Sequence, residues 1–368
     1  MKNRQEIQIE KPLGAGPILV TGAAGFIGFH LARTLLDCGC SVVGVDNLND
    51  YYDVSLKLSR LAVLESHDRF LFSKLDITDR KPLFELFCRQ EFTVVLHMAA
   101  QAGVRYSLEN PHAYAESNVQ GFLNILEGCR MVGIRHLVFA SSSSVYGANG
   151  RIPFSVHDNV DHPVSLYAAT KKTNELMAHA YASLYALPCS GLRLFTVYGP
   201  WGRPDMAIYS FTKNILEARP IEVYNNGKMI RDFTYIDDIV EMILRIAKRV
   251  PMGDSNWQAE QPDPARSFAP YRIYNLGHGG PVDLMYLIET LEKYLCKKAV
   301  VHFLPLQPGD VIGTHADMKD TEREIGRTPR TTVDEGIRHF VEWYKAYHDR
   351  VKSPAWVASG IEIPPAVD

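Results

Sequence analysis

The stretch ILVTGAAGFIG (Ile18–Gly28) decides the fold. Ile18–Thr21 is a short apolar run of strand character, and from Phe26 to Cys38 apolar residues recur at helical spacing. Gly22, Gly25 and Gly28 punctuate the junction. Gly22 permits the tight turn, Gly25 lets a backbone approach a pyrophosphate, and Gly28 lets helix and strand pack closely. The spacing is GxxGxxG, not the commoner GxGxxG, so the strand before and the helix after carry the assignment. Phe26 and Ile27 open that helix, whose N-terminal amides suit a phosphate.

The same strand-then-helix rhythm continues outward. SVVGVD (Ser41–Asp46), RFLFSKLD (Arg69–Asp76), TVVLHMAA (Thr93–Ala100), HLVFASS (His136–Ser142) and CSGLRLF (Cys189–Phe195) read as strands. Lys81–Gln90, His112–Val132 and Leu166–Tyr185 read as amphipathic helices between them. Parallel neighbours need crossover connections, so the expected class is α/β, a doubly wound parallel sheet of the Rossmann type. Beyond Phe195 glycine, proline and aromatic residues thicken, which predicts a smaller C-terminal α/β substrate-binding region. The expected division is a dinucleotide-binding domain over 17–195, rejoined by 232–250 and 272–278, and a substrate region over 196–231 and 251–345. Residues 1–16 and 352–368 are expected to be loose tails. Asn225-Asn226-Gly227 predicts a hairpin-type turn, and Pro251–Tyr271, with four prolines, a surface loop or lid.

Composition excludes several classes. With 46% hydrophobic and 22% charged residues the chain is an ordinary globular protein, long enough at 368 residues for a large core. The 39 basic and 42 acidic residues leave a net charge of −3, which predicts neither a nucleic-acid nor an anionic-membrane partner. The polar Met1–Gly16 segment lacks the apolar run of a secretory signal, and no run nears a membrane span, so a cytoplasmic protein is expected. Six cysteines without a CxxC pair read as reduced core residues, with neither disulfide nor zinc expected.

Asp46 closes the second strand 18 residues past Gly28, placed to accept hydrogen bonds from both hydroxyls of an adenosine ribose. With no arginine in Asp46–Asp53 to offset that carboxylate, NAD is expected over NADP. Asp76, ending the third strand, suits either adenine contact or capping of the next turn. Asn47 and Ile77 stand beside these two acids, and the small Ala99 and Ala100 leave room at the fourth strand end.

Tyr167 and Lys171 lie four apart on one helix face. A phenol of pKa about 10 is a poor base at neutral pH, and a neighbouring ammonium is expected to lower it. Tyr209/Lys213, Tyr224/Lys228 and Tyr294/Lys298 share the spacing, but only Tyr167 follows a serine-rich strand end, Ser141–Ser144, at the edge where such sheets bind ligands.

The glycine turn, SSSSVYG (Ser141–Gly147), YAATK (Tyr167–Lys171) and RLFTVYGP (Arg193–Pro200) together resemble the extended short-chain dehydrogenase/reductase family, over about Ile18–Gly336. DNLNDYYD (Asp46–Asp53), TVYGPWGRPDMA (Thr196–Ala207), RDFTYIDDI (Arg231–Ile239), PDPARSFAPYRIYNLG (Pro262–Gly277) and QPGDV (Gln307–Val311) are similar to its UDP-glucuronate 4-epimerases. The resemblance implies transient oxidation at C4 of UDP-glucuronate by tightly bound NAD, then hydride return to the other face. It implies that Tyr167 is the acid/base, that Lys171 tunes it and binds the nicotinamide ribose, and that Ser142, three before Val145, bonds O4, with Ser143 as the alternative.

A sugar carboxylate needs several donors. Ser143, Ser144 and Thr196 supply hydroxyls and Arg203 a charge, although the serines also suit a plain polar loop and Arg203 the solvated surface. Family position gives Arg231 to the UDP phosphates and Asp310 to the uridine ribose. Asp237-Asp238 is read as a helix N-terminus and not as a metal site. A dehydratase would need an Asp-Glu pair where Ser143-Ser144 stand. A UDP-glucuronate decarboxylase, a neutral-sugar epimerase and a non-catalytic NAD-sensing module are the other readings. Relatives pair through helices corresponding to His112–Val132 and Leu166–Tyr185, so a homodimer is expected.

Overall fold

The computed structural model describes residues 13–14, 16–307 and 309–351. Seven strands form one wholly parallel sheet: β1 (Ile18–Thr21), β2 (Val42–Asp46), β3 (Phe70–Lys74), β4 (Val94–His97), β5 (His136–Ala140), β6 (Cys189–Leu194) and β7 (Tyr271–Leu276), in the order β7-β6-β5-β4-β1-β2-β3. Successive side chains of a strand face opposite ways, and both faces here are apolar. Ile18 and Val20 therefore join a core with the helices Phe26–Asp37 and Ile236–Lys248, while Leu19 joins Val95, Leu137 and Phe139 under Arg80–Arg89, Gly121–Val132 and Leu166–Tyr185. The order reverses between β1 and β4, and a crevice opens at the carboxyl ends of such a pair.

Past β6, three two-stranded ladders build the remaining region: Thr196–Tyr198 with Phe233–Tyr235, Pro220–Val223 with Val300–Phe303, and Ile230–Arg231 with Val282–Asp283. The Asn225-Asn226-Gly227 turn exists, with all three residues at positive φ. It is not a hairpin, because the strands on either side each pair with a distant segment.

Other expectations need correction. Residues 112–132 do not form one helix: a π-helical turn over Ala115–Gln120 interrupts it. There the buried Asn118 side chain bridges backbone N–H and C=O of Gln101 (2.8 and 3.0 Å), a tertiary demand that periodicity does not register. Pro251–Tyr271 is an irregular segment but not a lid, since none of it lines the cavity described below. It instead runs beside the outer strand β7, where Ile273 N–H donates to Ala265 O at 2.8 Å, shielding an otherwise open sheet edge. The tail expected over 1–16 is packed at Leu13, which is 4% exposed; the tail beyond 351 lies outside the described residues. Of the six unpaired cysteines, Cys40, Cys129 and Cys189 are buried, but Cys88 and Cys296 are exposed. Asp238 accepts the amides of Arg330 and Thr331 at 3.2 and 3.0 Å, at the start of the helix Ile236–Lys248.

One buried ion pair ties the helix Leu166–Tyr185 to the sheet. Arg193 of β6 donates to both carboxylate oxygens of Glu175 at 2.9 Å, Ser141 at the end of β5 donates to the same carboxylate at 2.6 Å, and both charged side chains are almost fully buried. Removing one partner strands the other charge in the interior. Glu175→Ala is expected to cost about 3–5 kcal/mol in urea unfolding. The double variant Glu175→Met/Arg193→Met should be less destabilised than Glu175→Ala.

Candidate active site

A cavity of about 1050 Å³ runs along the carboxyl ends of the central strands. That exceeds the usual range for a small-molecule pocket and leaves room for a dinucleotide and a second nucleotide together. Every cofactor, catalytic and substrate residue expected from sequence lines it, from Gly22 to Asp310.

At one end lies the glycine turn. Gly22 takes φ +70°, and a Cβ there would stand 2.8 Å from Ala99 N. A Cβ on Gly28 would lie 2.0 Å from Gly22 O, so helix and turn touch backbone to backbone. Asp46 Oδ2 accepts Ala24 N–H at 3.1 Å and Oδ1 accepts Leu48 N–H at 2.9 Å, which aims its carboxylate along the turn. Asp76 caps its own turn, accepting Thr78 N–H and Oγ1–H (2.8 and 2.7 Å), and also accepts Asn47 Nδ2–H at 2.7 Å. Burial raises its pKa, but these donors outweigh it and hold the carboxyl below its ordinary value. The bare turn, the helix N-terminus and the two strand-end acids fit a dinucleotide.

The residues expected to be catalytic meet where β5 ends. Ser165 caps the helix Leu166–Tyr185, accepting Ala168 N–H at 3.1 Å, so Tyr167 sits in the first turn and Lys171 one turn deeper. Ser141 turns away to Glu175. Ser142 Oγ accepts Ser144 N–H at 3.1 Å, capping the short turn Ser143–Tyr146, and its hydroxyl lies beside the Tyr167 phenol.

The electrostatics differ from the sequence expectation. The Tyr167 phenol is pushed up, not down: burial dominates, while Ser142 and the Arg203 charge pull it back only in part. Lys171 is 2% exposed and donates to Ala140 O at 2.8 Å; burial lowers its pKa to about 8. The pair shares a helix face, but in the protein alone the lysine is spent on a carbonyl and itself resists charging.

Beyond Tyr167, Arg203 donates Nε–H and Nη2–H to Asp205 (3.0 and 2.5 Å) and is four-fifths buried, not a solvated surface charge. Burial disfavours its charge, but Asp205 more than restores it. Tyr51 donates to the same carboxylate at 3.4 Å; burial, with Asp205 adding, raises its phenol to about 12. Arg231 Nη1 donates only to the carbonyls of Ile230 and Ile312 (2.9 and 3.0 Å), and burial, partly offset by Asp310, lowers its pKa. Asp310 pairs with Arg105 at 3.0 Å, and that guanidinium lies 4.0 Å over the Tyr224 ring.

Arg105, Tyr224, Asp205 and Tyr51 also line the cavity and were not foreseen, nor was Asn118, which braces Gln101 of its lining. Each stands in a loop or at the helix interruption. Only DNLNDYYD and GRPDMA, already singled out as motifs, held a signal for Tyr51 and Asp205.

Comparison with known proteins agrees with this geometry. The sequence pattern described as the NAD dependent epimerase/dehydratase family matches residues 18–277. An uncharacterised 37.6 kDa protein in the cld 5′ region of Escherichia coli O111:H- is 59% identical over 90% of the chain and 98% of its own length. UDP-glucuronate 4-epimerase 1 of Arabidopsis thaliana is 47% identical over 94% of the chain and 80% of its own. The crystal structure of UDP-glucuronic acid 4-epimerase from Bacillus cereus, in complex with UDP-glucuronic acid and NAD, superposes with a TM-score of 0.78 at 31% identity. That match covers 90% of this chain and 99% of the other.

The Lys171 shift makes a pH prediction. A folded pKa of about 8 lies below the unfolded lysine value of about 10.4, so the unfolded state binds more protons between them and stability rises with pH across that window. Relative to Lys171→Met, wild type without cofactor should therefore gain stability from pH 8 to 10 in urea unfolding. A flat difference would contradict an ammonium that is buried and bonded only to a neutral carbonyl.

Proposed function

The chain belongs to the NAD dependent epimerase/dehydratase family, and on that premise we infer that it is a UDP-glucuronate 4-epimerase, converting UDP-glucuronate to UDP-galacturonate. The observation that carries this is one cavity joining the glycine turn, the Tyr167/Ser142 pair and two desolvated guanidinium groups, Arg203 and Arg231.

NAD, when bound, supplies a reversible hydride acceptor at the sugar C4. The bare turn at Gly22, Gly25 and Gly28 holds the pyrophosphate, Asp46 the adenosine ribose, and Lys171 the nicotinamide ribose. Tyr167 takes the proton of the O4 hydroxyl as C4 is oxidised and returns it when the 4-keto sugar is reduced on its other face. Ser142 orders O4 by a hydrogen bond and favours the phenolate. Ser143, Ser144, Thr196 and Arg203 receive the sugar carboxylate, and Arg231, which no carboxylate among the described residues pairs, takes the diphosphate. Asp310 receives the uridine ribose from its place beside Arg105. The Rossmann half is assigned to 17–195 with 232–250 and 272–278, and the substrate region to 196–231 and 251–345.

Leu176, Leu184 and Tyr185 on Leu166–Tyr185 and Met131 on Gly121–Val132 are exposed apolar side chains, at 59%, 72%, 49% and 45%. They support a homodimer through these two helices. Unpaired cysteines throughout the chain support a reducing, cytoplasmic setting.

Purified protein given UDP-glucuronate without added NAD should yield UDP-galacturonate with no carbon dioxide; gas release would mark a decarboxylase instead. Tyr167→Phe should lose about 10²–10⁴-fold in kcat, the usual worth of a positioned acid/base. Sedimentation should give twice the 41.4 kDa chain mass, and Leu176→Glu should shift it toward monomer.

A further inference from the structure

The helix Val54–Glu65 buries an arginine completely: Arg60 is 0% exposed. A guanidinium withdrawn from water is costly unless paired, yet no carboxylate among the described residues receives Arg60. Its planar fork instead joins three segments at once. Nη1 donates to Ala24 O of the glycine turn at 2.8 Å and to the Tyr52 hydroxyl at 2.8 Å. Nη2 donates to Trp201 O at 2.6 Å and to Gly202 O at 3.4 Å.

These last two carbonyls immediately precede Arg203. Trp201 is held at φ +63°, a left-handed conformation that a bulky side chain adopts only under constraint. A second link runs parallel: Tyr51, from the loop that carries Tyr52, donates to Asp205, the carboxylate that grips Arg203.

We propose that Arg60 is a positioning residue for substrate recognition. It sets the 201–205 loop, and with it Arg203, against the glycine turn, so the part of the chain that holds the dinucleotide also fixes the group that selects an acidic sugar. Arg60 touches neither ligand and acts through backbone carbonyls. The proposal rests on the assignment of Arg203 to the sugar carboxylate.

The test compares Arg60→Lys and Arg60→Met in the wild-type and Arg203→Ala backgrounds. Lysine keeps the charge but its single ammonium cannot span Ala24 O and Trp201 O together, so Arg60→Lys remains informative where Arg60→Met fails to fold. Arg60→Lys should lower the preference for UDP-glucuronate over UDP-glucose, in kcat/KM, by about 10- to 100-fold, mostly through KM. Calorimetric affinity for UDP-glucuronate should fall in parallel. Added to Arg203→Ala, the substitution should remove no further selectivity. A folded Arg60→Lys protein with wild-type selectivity and affinity overturns the proposal. Equal losses on both sugars, or the same loss with and without Arg203, overturn it too. Wild-type turnover of UDP-glucuronate tests the underlying activity separately, and the calorimetric comparison stands whichever reaction is catalysed.

Discussion

A helix can start against the end of its own strand only if nothing stands between them. Here the would-be Cβ of Gly28 lies 2.0 Å from the Gly22 carbonyl, and that of Gly22 lies 2.8 Å from the backbone of Ala99. This closeness leaves the turn without side chains, brings the end of β4 beside the end of β1, and opens the crevice at which the sheet order reverses. It also leaves the Ala24 carbonyl facing the next helix, where Arg60 takes it. The same guanidinium takes the carbonyls of Trp201 and Gly202, so the glycine turn and the loop before Arg203 share one anchor.

The cavity carries its charges in graded states. Arg203 is neutralised by Asp205, Asp310 by Arg105, and Arg231 Nη1 donates to two carbonyls. One guanidinium of the cavity is thus bonded to neutral carbonyls and another is oriented by a carboxylate. The same desolvation raises the Tyr167 phenol and lowers Lys171, so both side chains are pushed toward their neutral forms. Burial, not proximity of opposite charge, dominates both shifts.

The parallel sheet was legible because its strands are short apolar runs separated by helices at clear 3.6-residue spacing, and the predicted strand cores match β1 to β6. Tyr167 and Lys171 were legible because an i,i+4 relation on a helix is a local fact. The misreadings share one cause. Asn225-Asn226-Gly227 has hairpin chemistry, but which strands pair is decided far away. Residues 112–132 have helical spacing, but Asn118 must reach Gln101. Prolines in 251–271 announce a loop without saying what it covers.

The order of residues alone carried the class of fold, the glycine turn and the helix on which Tyr167 and Lys171 stand four apart, because each is written in residues within a few positions of one another. Three-dimensional packing was needed to raise Tyr167 and tie Lys171 to Ala140, to orient Arg203 by Asp205, and to set Arg60 on the carbonyls of Ala24, Trp201 and Gly202. These depend on burial and on partners up to 142 positions away, such as Gly202 for Arg60, and local pattern carries no information about either.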